Sequence, residues 1–92
     1  LLENGKVEAA LARLAPMAER GDMWAQAVLG AELYKRGDAL ALHWIEAAAT
    51  QGHAPSALFM GAAYAKGEGL DRDPAIARGW LLLAARRGDR VV

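Results

Sequence analysis

No cysteine occurs among the 92 residues, so disulfides, thiolate nucleophiles and zinc–thiolate sites are excluded and the redox compartment stays unread. Thr, Val and Ile together supply only seven residues against 22 of Ala, which disfavours a sheet and favours helix. Net charge is lacking too. Lys plus Arg and Asp plus Glu number 11 each, with five basic and seven acidic groups in residues 1–46 and six and four in 47–92. No global field therefore draws the chain to nucleic acid or an anionic membrane. No apolar run approaches the roughly 20 residues needed to span a bilayer. The chain opens Leu1-Leu2-Glu3-Asn4-Gly5, without an initiator Met or a charged-then-apolar leader, and so reads as an excised or processed piece. Its length suits one domain whose core hides about two-thirds of the unfolded surface.

What the chain does contain is an internal repeat. Gly21-Asp22 opens a segment with Leu29-Gly30, Leu33-Tyr34 and later Trp44 through Gly52; Gly52-His53 opens another with Met60-Gly61, Tyr64, Gly67-Glu68-Gly69-Leu70 and later Trp80 through Gly88-Asp89. The opening glycines at 21, 52 and 88 are spaced by 31 and 36 residues, which fits a helix-turn-helix unit. Each unit divides into two helices, stopped at Gly21, Gly37, Gly52, Gly67 and Gly88, where a left-handed residue is expected. Arg20, Arg36, Lys66 and Arg87 precede these stops and suit the negative end of a helix dipole. Asp22, Asp38 and Asp73 are placed to cap helix starts, and Pro55 and Pro74 to occupy first turns. The pattern predicts helices over 6–20, 22–36, 38–51, 54–66 and 73–87. Pro16 either bends the first or breaks it. Gly30, Gly61 and Gly79 lie inside helices, at a cost relative to Ala, and are expected to let a neighbouring helix approach closely.

Gly52-His53, Met60-Gly61, Tyr64, Gly67-x-Gly69-Leu70, Asp73, Ala75, Ala77, Trp80, Ala84-Ala85 and Gly88 together resemble a complete unit of the Sel1-like repeat family, relatives of the tetratricopeptide repeat. The segment from Gly21 is similar but five residues shorter, with a tight turn at Arg36-Gly37-Asp38 in place of the glycine loop. Residues 5–21 resemble the lone second helix that opens such arrays, without the family Trp. The resemblance implies one all-α domain over 1–92: an α-solenoid of antiparallel helix pairs with a right-handed superhelix. Within it, 5–21 is a leading helix, 22–52 a shortened repeat and 53–89 a full one. It implies a protein-binding scaffold or adaptor, not an enzyme and without a cofactor or metal. Some cysteine-rich secreted relatives are linked to β-lactam binding through a disulfide in each unit, a remote alternative for a chain without Cys.

Helical periodicity places Ser56, Met60 and Tyr64 on one stripe and Ala77, Trp80, Leu81 and Ala84 on another, expected to interlock. Gly30, Trp44, Gly61, Tyr64 and Trp80 are thus structural repeat positions. A second stripe, Trp24, Val28, Ala31 and Lys35, is mirrored 31 residues on by Pro55, Phe59, Ala62 and Lys66. This is the candidate groove. Its apolar floor of Val28 and Phe59, with Lys35 and Lys66 at the rim, suits an amphipathic helix or extended peptide. Trp24 has two readings: packing on Pro16 or Met17, or contact with a partner, where Trp is enriched.

Catalytic patterns are sparse. His43 and His53 match no zinc spacing, and Ser56, the sole serine, lacks a nucleophile-elbow setting. Residues 67–73 lack the third glycine and the Lys-Ser/Thr of a phosphate cradle, and they lack the spaced oxygen ligands of a calcium loop. They read as a connector closed by Asp73. Arg86, Arg87 and Arg90 either serve a helix C-terminus or meet an acidic partner. The expected partner is a protein or peptide; the alternative is a structural segment of a longer array, or a homo-oligomer paired through exposed ends that include Leu1, Leu2, Val91 and Val92.

Overall fold

The computed structural model describes residues 2–89, with the side chains of 8–86. Five helices follow in order: α1 (Leu2–Glu19), α2 (Met23–Lys35), α3 (Ala41–Thr50), α4 (Ala54–Lys66) and α5 (Pro74–Asp89). Each packs on the next, most extensively α2 on α3 and α4 on α5. Contacts therefore run mainly between chain neighbours, as a solenoid requires.

The capping residues do the punctuation. Asp22 Oδ1 accepts from the Ala25 N–H at 2.8 Å to start α2, and Asp73 Oδ1 accepts from the Ile76 N–H at 3.1 Å to start α5. Helix α4 is capped by His53, whose Nδ1 accepts from the Ser56 N–H at 3.3 Å, with Pro55 in the first turn. Positive φ is found at Gly21, Gly37, Gly52, Gly67 and Gly69.

Four expectations are corrected. Helix α1 begins at Leu2 rather than residue 6 and runs unbroken through Pro16. The carbonyl that Pro16 leaves without a helical donor belongs to Ala12, an exposed position open to solvent. Helix α3 starts at Ala41, three residues late, because Asp38 Oδ1 accepts from the Leu40 N–H at 2.8 Å and holds 38–40 in a side-chain turn. Gly88 does not stop α5, which continues through Asp89. Gly79 meets no heavy atom within 4 Å of where a Cβ would stand, and nothing in the structure explains it.

The other two helical glycines do serve close packing. A Cβ on Gly30 would lie 2.7 Å from Ile45 Cγ1 and 3.0 Å from the Ile45 backbone nitrogen; one on Gly61 would lie 2.7 Å from Leu81 Cδ2. The core divides at α3. Leu11, Ala18, Ala25 and Leu29 form one cluster, completed by Leu33 and Trp44. Ile45, Ala49, Ala57, Met60 and Ala84 form the other, completed by Phe59, Tyr64 and Trp80. Trp44 and Trp80 thus do the same work one unit apart, closing the cluster on their N-terminal side. Leu81 is the exception to the expected interlocking stripe: it touches Gly61 yet stays 41% exposed. The side chains of Leu2 and Arg87, and Leu1, Arg90, Val91 and Val92 entirely, lie outside the described residues.

Candidate functional site

Helices α2 and α4 lie on the same side of α3 and leave a hollow of about 320 Å³ between them. From α2 it is walled by Ala27, Ala31, Tyr34 and Lys35. From α4 and its cap it takes His53, Pro55, Ser56 and Phe59, and Ile45 of α3 is its floor. Tyr34 and Phe59 meet edge to face, with centroids 4.8 Å apart and planes at 85°, the arrangement preferred by aromatic quadrupoles. Lys35 stands at the rim, its Nζ 3.1 Å from Glu32 Oε2.

Of the expected binding residues, Phe59 and Lys35 line this hollow, together with Ala31 and Pro55. Trp24, Val28 and Lys66 are not among its walls. Val28 is half-buried, and Lys66 is exposed in the last turn of α4. Trp24, on the first turn of α2, is 65% exposed, which leaves most of its ring unpacked by Pro16 and Met17. The expected stripe is shifted on α2, which presents Ala27 and Tyr34 beside Ala31 and Lys35, in place of Trp24 and Val28.

Tyr34 is the groove residue that the spacing argument missed. The signal was present: Gly30 and Gly61 set an offset of 31, which makes Leu33 the counterpart of Tyr64 and puts Tyr34 one position out of register. Leu33 fills the core place, so the extra aromatic is free to face the groove.

One polar contact in the groove has the form of a base and a hydroxyl. His53 Nδ1 and Ser56 Oγ are 2.7 Å apart. The same Nδ1 accepts the Ser56 backbone N–H, and Ser56 is buried, so the ring acts as a helix cap that also holds the hydroxyl. Among the described residues, no three His, Asp or Glu side chains gather as a metal site, and no helix is long and apolar enough to cross a membrane.

A family model for the Sel1 repeat matches residues 25–53 and 54–89, that is α2 with α3 and α4 with α5. A crystal structure of a Sel1 repeat protein from Oxalobacter formigenes is similar, with a TM-score of 0.74 and 34% sequence identity over 85% of this chain. The match spans 63% of that protein's length. No curated protein matches the sequence.

Proposed function

This chain belongs to the Sel1 repeat family, and from that premise we propose that it is a protein-binding module that holds a partner helix or peptide in the groove between α2 and α4. One observation carries the reading. The first helices of both repeats line a single hollow whose walls are alkyl and aromatic, flanked by an edge-to-face Tyr34–Phe59 pair. Such a surface gains from burying an apolar side chain, at roughly 25 cal/mol per Å² removed from water. Its polar members are already engaged, His53 and Ser56 in capping and Lys35 with Glu32. The groove therefore offers shape and apolar area instead of reacting groups, which is the character of a scaffold and not of an enzyme. An acidic residue on the partner, flanking its apolar anchor, would compete for Lys35.

The test is capture of a partner by the intact chain, by an Ala31→Arg variant and by a Trp24→Ala variant. Ala31 is an exposed helix position on the groove wall, so Arg there obstructs the hollow without removing core. Binding should weaken at least about tenfold in Ala31→Arg and persist in Trp24→Ala. The reverse pattern would move the contact out of the groove to the exposed indole.

A further inference from the structure

The two inter-helix connectors are unequal, and a second hollow lies between them. In the first repeat α2 passes to α3 through a short turn at 36–40; in the second, α4 passes to α5 through the longer loop at 67–73. Asp38 of the turn and Glu68 of the loop wall a hollow of about 550 Å³, whose apolar surface includes Tyr34 and Leu42. Tyr34 also walls the α2/α4 groove, so the two hollows are neighbours across one ring. Both acids are set in place by the backbone around them. Asp38 Oδ1 accepts from the Leu40 N–H at 2.8 Å, which fixes that carboxylate. The Glu68 N–H donates to Ala63 O at 3.1 Å, and the loop is seated on α3 at Gly69, where a Cβ would lie 2.8 Å from Leu42 Cδ1.

The charge of these two acids is not balanced from within. Among the described residues no cation lines the hollow, and neither acid joins an ion pair. The neighbouring cations are engaged elsewhere: Lys35 holds Glu32 at 3.1 Å, Arg36 holds Glu8, and Arg72 Nε donates to Ala65 O at 3.1 Å. Lys66 is exposed at the end of α4 and is not among the walls. Two carboxylates beside a 46% exposed tyrosine ring suit a cation, the acids by charge and the ring by its negative face. We propose that the partner segment held in the α2/α4 groove carries a basic side chain next to its apolar anchor, and that this side chain enters the hollow of Asp38 and Glu68. This rests on the groove reading and adds the partner's chemistry to it. Anchor and cation would flank the Tyr34 ring, a separation of about 5–7 Å that residues i and i+4 of a helix, or i and i+2 of a strand, provide.

The experiment selects binders to the 92-residue chain from a displayed library of random peptides, and repeats the selection on an Asp38→Asn, Glu68→Gln double variant. Asn keeps an oxygen for the Leu40 N–H, and both positions are exposed, so turn and loop are retained. Peptides enriched on the unaltered chain should pair an apolar residue with Arg or Lys at one of those spacings. On the double variant the basic residue alone should lose its enrichment. For one enriched peptide, binding should weaken at least about fivefold on the double variant, and a copy with Gln for its basic residue should bind both chains alike. Apolar peptides without a basic preference, blocked by Ala31→Arg, would overturn this proposal and leave the groove reading intact. Peptides that Ala31→Arg does not weaken, or no enrichment at all, would overturn both.

Discussion

In the first repeat, Ile45 of α3 is buried between Gly30 behind it and α4 ahead; in the second, Leu81 of α5 presses on Gly61 in the same way and has nothing ahead of it among the described residues. Both repeats carry the same small residues and the same Trp at matching positions, so their internal packing is alike. What differs is the neighbour. Burial in this fold belongs to a pair of adjacent repeats more than to either one, which is why an identical pattern yields a closed core at one position and an apolar surface at the next.

The largest effect is expected where that difference is greatest. Ile45→Ala removes a side chain held on two sides and should cost about 2–5 kcal/mol of unfolding free energy. Leu81→Ala should cost less than half as much, because part of that side chain already meets water. Urea unfolding of both variants, compared at unchanged slope, measures the contrast. Equal losses would mean that the open end is as well covered as the junction.

A sharper form of the contrast uses the glycines. Ala at position 30 would gain up to about 1 kcal/mol of helix propensity, yet its Cβ would collide with the backbone nitrogen of buried Ile45, which cannot swing away. A net loss of about 1–2 kcal/mol is expected for Gly30→Ala. At Gly61 the collisions under 3 Å are with the Leu81 side chain alone, which has solvent to move into. Gly61→Ala should therefore be nearly neutral, and thermal melts of the pair should separate by several degrees.

Much of the architecture was legible in the sequence because glycine stops, caps and a repeated Trp are local signals. Helix α4 was placed to the residue, and the 67–73 connector was read as a loop closed by Asp73. Helix α3 was started too early because Asp38 was taken as its cap, whereas its carboxylate holds a turn before the helix. Such competition between two local hydrogen bonds leaves no trace in spacing. The groove was half legible. Phe59 and Lys35 line it, but Tyr34 does also, and Trp24 and Val28 do not. Periodicity fixes which residues share a face, but the rotation of that face toward a neighbouring helix is set by packing, here by Leu33 taking the core place that Tyr64 takes in the next repeat.

The polar seam of the first repeat provides the finest test, because the second has Ala57 in place of the buried Gln26. Gln51 Nε2 donates to Gly21 O at 2.8 Å and to Gln26 Oε1 at 2.9 Å, and the buried Gln26 passes the chain on to Ala18 O at 3.1 Å, tying α1, α2 and α3 together. In the second repeat Ala57 stands at the place of Gln26 and joins the apolar cluster with Ile45, Ala49 and Met60. Gln51→Ala leaves Gln26 Oε1 without its donor and should cost about 1 kcal/mol. Gln26→Ala strands no backbone group, since Ala18 O keeps the Gly21 N–H at 3.0 Å. The double variant should therefore lose less than the sum of the two single losses, by a few tenths of a kcal/mol or more, because its members share one network. Strict additivity in a double-mutant cycle would show that the two glutamines act independently and do not form one network across the junction.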